Sequence, residues 1–215
     1  MSSGSFDRGV FVNCPYSPDY SEKLKAIVFV LISLDFDPVF PSQKSDVGEQ
    51  RIDLIKDLIR NCRHGIHDLS LVIAKNAGEH ARMNMPYELG IDLGARWFGG
   101  APLDRKVTLV LERTRGSVKK ALSDLAGADL RAHNGRVKNL IGALRDHFYA
   151  FHKADRGQVP GDFPEAISLW EDWGRFSRWL QQRPDGTLRT PKDLAKMEIP
   201  EFKDKVTEWL AAQSA

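Results

Sequence analysis

The chain has 215 residues, 42% of them hydrophobic, enough for one medium domain or a domain with a small appendage. Thirty-one basic residues stand against 29 acidic ones, a net charge of +2, so no strong field draws it to nucleic acid or to an anionic membrane. Its two cysteines, Cys14 and Cys62, have no metal-type spacing and suit a reducing compartment without a disulfide. Met1 to Ser5 are small and polar, unlike a signal peptide, and the longest apolar run, Ala26 to Ser33, falls far short of the ~20 residues of a membrane span. The expectation is a cytoplasmic protein with neither membrane nor direct nucleic-acid contact.

Gly9-Val10-Phe11-Val12-Asn13 predicts a first strand that ends in the polar turn Asn13-Cys14-Pro15-Tyr16. Ser17-Pro18 reads as an N-cap and first helical residue, opening a helix from Asp19 to about Leu34. Its second half, Ala26 to Ile32, is apolar all round and strand-like, but the spacing of Tyr20, Leu24, Ile27 and Leu31 favours helix. Phe36 to Phe40 is a short second strand that Pro38 places at a sheet edge. Asp46-Val47-Gly48-Glu49 matches a capping box before a helix carrying Ile52, Ile55, Leu58, Ile59 and Cys62. Gly65 to Ser70 is the third strand and its exit, followed by a loop from Ala74 to Asn84.

That loop leads into the stretch on which the chain turns, Arg82-Met83-Asn84-Met85-Pro86-Tyr87-Glu88-Leu89-Gly90-Ile91-Asp92-Leu93-Gly94-Ala95. Pro86 suits a helix's first turn, and Glu88 lies about one turn inside. Gly90 and Gly94 share a face, each costing roughly 1 kcal/mol against Ala, which predicts a neighbour closer than a side chain would allow. Lys106 to Leu111 is the clearest buried strand, Ala126 to Arg131 a weak fifth, and Gly135 to Phe151 an amphipathic helix.

Strand and helix alternate five times, which predicts an α/β fold: a five-stranded parallel sheet with helices on both faces, over residues 6–152. Composition shifts between Lys153 and Pro164. Three further helical patterns follow, Glu165–Gln182, Pro191–Met197 and Pro200–Ala212, separated by a Pro184-Asp185-Gly186 turn and a Thr190-Pro191 cap. They predict a C-terminal helical extension over 163–215 that holds four of the five tryptophans, Trp170, Trp173, Trp179 and Trp209, either as core or as a partner-binding face.

No glycine-rich phosphate loop, zincin pattern, Cys-x-x-Cys pair or nucleophile elbow is present. His64 and His67, three apart on a strand, face opposite sides and read as structural rather than metal-ligating. In a parallel sheet, ligands bind beyond the carboxyl ends of the strands. Those ends carry Asn13, Cys14 and Tyr16 after strand one, Asp68 and Ser70 after strand three, and Glu88 in the helix beyond. A carboxylate placed there can stabilise or trap a ribosyl cation. By spacing alone it is more readily a surface helix acid satisfying the dipole.

Tyr87-Glu88-Leu89-Gly90 with Gly94-Ala95, one βα unit after Ile66-His67-Asp68-Leu69-Ser70, resembles the Glu-bearing helix of the nucleoside 2-deoxyribosyltransferases and of Toll/interleukin-1 receptor (TIR) domains. Val10 to about Arg145 also resembles small bacterial TIR-like proteins through Phe11–Pro15, Gly65–Ser70 and Asn84–Gly90. The resemblance implies that the sheet is flavodoxin-like and that Glu88 is the catalytic residue that cleaves the nicotinamide–ribose bond of NAD, with NAD as substrate and no further cofactor or metal. It implies Asp68 on ribose, with Asn13 and Tyr16 facing nucleotide or base and Cys14 and Ser70 beside them. Where deoxyribosyltransferases carry an acid six residues before the Glu, this chain has Arg82, with Asn84 as the candidate replacement. Arg82, or Arg51, would receive phosphates. Many TIR-like proteins are antiphage effectors, which implies control by homo-oligomerisation or by an activating partner on the tryptophan-rich tail. Two alternatives stand beside this reading: a (deoxy)nucleoside or nucleotide transferase or hydrolase, and a non-catalytic nucleotide-binding or homotypic signalling module.

Overall fold

The structure, a computed structural model, describes residues 3–41, 51–74, 81–127, 130–183 and 185–213. The Asp46–Glu49 capping box and most of the loop before Asn84 lie outside them. The chain forms two compact units, Met1–Pro15 with Phe36–Gly135, and Tyr16–Asp35 with Arg136–Ala215. The composition shift at 153–164 falls inside the second.

The first unit opens with a short helix, α1 (Ser3–Arg8), and holds the sheet: β1 (Gly9–Asn13), β2 (Asp37–Val39), β3 (His64–Asp68), β4 (Val107–Glu112) and β5 (Leu130–Ala132). All are parallel, in the order β2-β1-β3-β4-β5, the flavodoxin-like order, in keeping with the expected α/β fold with a parallel sheet. Strands β1 and β3 are neighbours although not consecutive, so the direction of winding reverses between them, and the carboxyl ends of that pair form the switch point. Register sets Asn13 opposite His67 and Asp68 opposite Leu111. Pro38 lies in the edge strand, where its missing N–H costs no ladder bond.

Helices α3 (Arg51–Arg60) and α4 (Asn84–Phe98) belong to this unit, as does α5 (Ser117–Ala121). On α4 the residues Met85, Glu88, Leu89 and Asp92 recur at helical spacing and are all buried. Met85 and Leu89 pack with Leu69, Val72, Val110 and Val118. On the flank, Ile91 and Ala95 meet Phe11, Ile55, Ile59 and Cys62. No described helix is long and apolar enough to cross a membrane.

The second unit gathers α2 (Ser21–Ser33), α6 (Val137–Arg156), α7 (Ala166–Gln181), α8 (Pro191–Lys196) and α9 (Ile199–Gln213). The run from Ala26 to Leu31 is helical and wholly buried, which explains why it is apolar on every side. Phe29 stacks on Phe176 at 5.2 Å and meets Trp173 edge-on at 5.5 Å, with Trp209 at 6.0 Å. Trp173 and Trp209 are therefore core residues, and the tail's tryptophans do not form an open face. Helix α6 runs to Arg156, further than its apolar stripe suggested, and stops at Gly157, whose φ of 70° is costly for any other residue. Thr190 and Asp193 cap α8 reciprocally.

Candidate functional site

A strand buried on both faces is normally a run of apolar side chains. Strand β3 is instead His64-Gly65-Ile66-His67-Asp68, every residue buried. Each polar group on it needs a partner, because desolvation without one costs several kcal/mol. His64 lies edge-on to Phe36, ring centroids 5.1 Å apart. His67 and Asp68 organise the site.

The partners of His67 fix its tautomer. The Asn13 side chain donates from Nδ2 to the Met85 carbonyl at 3.0 Å, an acceptor that leaves no choice of amide orientation. The same nitrogen lies 3.0 Å from His67 Nδ1, which must therefore accept its second hydrogen. The ring proton then sits on Nε2, directed at Asp92 Oδ2, 3.2 Å away. Asp92 also accepts from Thr108 Oγ1 at 2.9 Å and pairs with Lys106 Nζ at 2.9 Å. Lys106 donates in turn to the carbonyls of Ile59 and Cys62, at 2.8 and 2.5 Å, closing the end of α3. Burial alone would raise the Asp92 carboxyl, but the hydrogen bond from His67 and the Lys106 charge overrule it and hold it at about 2. This chain ties β1, β3, β4 and α3 to two points on α4, three residues before Glu88 and four after it.

Gly65 makes the chain possible. A Cβ on it would lie 2.2 Å from Asp92 Oδ2, so only glycine lets α4 approach β3 here. The close approach therefore occurs at Gly65. Gly90 and Gly94, predicted to be the close contact, have no described atom within 4 Å of an added Cβ.

Asp68 heads a second cluster. Its Oδ1 accepts from Ser70 N at 2.8 Å, and its Oδ2 lies 3.1 Å from His133 Nε2. His133 Nδ1 accepts from Gly135 N at 3.0 Å, so Nε2 carries the proton and gives it to Asp68 and to Ser70 Oγ, 2.9 Å away. Serine, histidine and aspartate meet here without forming a hydrolytic triad, since the nitrogen facing Ser70 already bears a hydrogen and cannot take another. The Asp68 side chain is 0% exposed and both its oxygens are engaged. That makes it the organiser of the β3 exit, where a ribose contact was expected.

Four carboxylates are buried among the described residues: Asp68, Glu88, Asp92 and Glu112. Glu112 caps α5, accepting from Gly116 N, Ser117 Oγ and Val118 N at 2.7 to 3.1 Å. Asp68 and Glu112 are thus held by hydrogen bonds, and Asp92 by hydrogen bonds at Oδ2 with the Lys106 ion pair at Oδ1. Glu88, 4% exposed, meets only Arg51 Nη2 at 3.8 Å among the described residues, beyond hydrogen-bond length. Burial raises its carboxyl above the ordinary range, and Arg51 offsets part of that rise.

Cys14 is 2% exposed, and burial together with the Asp68 and Glu88 charges drives its thiol well above the ordinary value, unfit for a thiolate nucleophile. The structure thus brings Asn13, Cys14, Asp68, Glu88 and Arg51 to the switch point. Asn13, 3% exposed and committed to His67 and Met85, positions α4, whereas the resemblance implied that it reads a base. Arg82 and Asn84 are exposed at the start of α4, and the Arg82 N–H donates to Leu71 O at 3.2 Å. Ser70 is half-buried beside His133, and Tyr16, 42% exposed, belongs to the second unit. Sequence reading missed Asp92, Lys106 and His133. The first had a signal: four residues after Glu88, it shares the apolar stripe of α4, where an unpaired acid would not survive. Among the described residues no group of three or more His, Cys, Asp or Glu is arranged to hold a metal ion.

No protein-family model, curated protein or solved structure matches the chain.

Proposed function

We propose that the protein is an N-glycosidase that cleaves the nicotinamide–ribose bond of NAD or a related nucleotide, with Glu88 as the catalytic carboxylate. The observation that carries the reading is the contrast among the four buried carboxylates. Asp68 and Glu112 are engaged by hydrogen bonds, and Asp92 by hydrogen bonds at Oδ2 and the Lys106 ion pair at Oδ1, whereas Glu88, on the α4 face turned toward the switch point, meets only Arg51 at 3.8 Å among the described residues. A buried acid left unsaturated costs stability, and function is the usual reason such a cost persists.

In the reaction, the bond between ribose C1′ and the pyridinium nitrogen breaks with its electron pair going to nitrogen, releasing neutral nicotinamide. The Glu88 carboxylate stabilises the ribosyl cation electrostatically or bonds to C1′. Water then adds at C1′ and loses one proton to solvent, giving ADP-ribose. Arg51, 60% exposed in its side chain, supplies a cation for the phosphates beside the same carboxylate. The resemblance to TIR-like proteins supports the same bond and a role in antiphage defence.

Incubation of the purified protein with NAD, followed by chromatography, tests this. Nicotinamide released by the wild type and absent with Glu88→Gln is the expected result. Free base from deoxynucleosides with NAD left intact would move the assignment to a transferase or nucleoside hydrolase.

A further inference from the structure

Helix α4 carries an outward face that the site does not use. At about 100° per residue, Met83, Tyr87, Gly90, Gly94, Trp97 and Phe98 fall within about 50° of one direction, opposite the buried stripe. None is charged, where a surface helix normally turns its charges outward. Met83 is 58% exposed, Tyr87 62%, Trp97 65% and Phe98 86%. No described atom lies within 4 Å of a Cβ built on Gly90 or Gly94, so these helix-weakening residues answer to no described contact within the chain.

The order of residues along this face is palindromic. Tyr87 and Trp97 stand five residues to either side of position 92, and Gly90 and Gly94 two residues to either side. Two copies of α4 crossing antiparallel about a two-fold axis at that level would set Gly90 against the partner's Gly94 and Tyr87 against the partner's Trp97. The four glycines would let the helix backbones approach at the axis, and the aromatic rings would close both ends.

We propose that α4 is the dimerisation helix, and that a second copy of this chain covers its Tyr87–Gly90–Gly94–Trp97 face. The area fits a weak, concentration-dependent dimer. Aromatic side chains offer about 150–250 Å² each, so Tyr87, Trp97 and Phe98 at their exposures present roughly 400 Å² per copy, and roughly 800 Å² is lost from water in the pair. Met83 and the glycine backbones bring the total near the roughly 1,000 Å² at which specific interfaces begin.

Sedimentation of the full chain over a micromolar concentration range tests the proposal. The wild type should pass from monomer to dimer. Trp97→Glu and Tyr87→Glu should remain monomeric across the range, with the wild-type circular dichroism and, at concentrations where the wild type is monomeric, its melting profile, because both side chains are exposed. A mixture of Gly90→Cys and Gly94→Cys chains should form the mixed disulfide in excess over either self-linked pair, as antiparallel pairing requires. A wild type that stays monomeric at every concentration overturns the proposal, as does a dimer that survives both glutamate variants. Preferential self-linking of the Gly90→Cys chains overturns the antiparallel geometry.

Discussion

The two units are held by opposite kinds of interior. Around Phe29 in the second unit, Trp173, Phe176, Phe202 and Trp209 form an aromatic cluster with ring centroids 5.2 to 6.2 Å apart, an interior that contributes stability and fixes little else. Beneath α4 in the first unit, Asn13, His67, Asp92 and Lys106 form a buried polar chain. Such a network gives little net stability over an apolar core of equal volume, but it is directional: each member admits one geometry. On the proposed function, the polar interior is the one that positions the catalytic carboxylate. An apolar core would have held α4 in place without holding Glu88 within one narrow arrangement.

The largest effects come from breaking either interior. Asp92→Asn removes the charge facing Lys106 and should destabilise by about 3–5 kcal/mol. Phe176→Ala should cost a similar ~3–5 kcal/mol through its cavity. Urea titration measures both losses. The contrast appears on repair: Asp92→Leu with Lys106→Met should recover most of the stability while NAD cleavage stays lost. If the double variant cleaved NAD normally, the polar chain would have no positioning role. Gly65→Ala should cost about 1–3 kcal/mol, since its Cβ meets Asp92, and should lower cleavage along with stability.

Asp92 also sets an acid limit. Its folded-state carboxyl is held at about 2, against about 3.9 in an unfolded chain, so its contribution is complete above roughly pH 5 and is lost as pH falls through 4 toward 2. An acid titration followed by circular dichroism should therefore show a shallower limb for Asp92→Asn than for wild type. Glu88 has the opposite sign. Its folded carboxyl lies above the unfolded value, so stability is lost as pH rises through that window. Glu88→Gln should be the smallest effect and a gain, about 0.5–2 kcal/mol at neutral pH, shrinking below pH 4. A variant less stable than wild type at pH 7 would make Glu88 a structural acid.

The sheet was legible because its signals are local and repeated. Val10–Val12 and Val107–Leu111 are apolar runs of strand length, and Pro38 marks an edge whatever surrounds it. Ala26 to Leu31 was ambiguous for a physical reason, since total burial erases the periodicity that separates helix from strand. At the site, sequence brought Asn13, Asp68 and Glu88 to one end of the sheet through topology alone. It could not show that Asn13 and Asp68 are spent on internal partners, because those partners, Met85 and His133, are distant in sequence. Gly90 and Gly94 were recognised as unusual, but the close neighbour expected there is absent among the described residues. Gly65, inside a strand, gave no helical pattern to notice.

On the proposed function, Glu88 is retained for chemistry at a cost in stability. The most direct measurement is nicotinamide release from NAD by wild type and Glu88→Gln at matched concentrations over a micromolar range, with melting profiles recorded on the same samples. The prediction is release by the wild type, no release by the variant, and a variant at least as stable. No release by the wild type at any concentration, or equal release by both proteins, would contradict it.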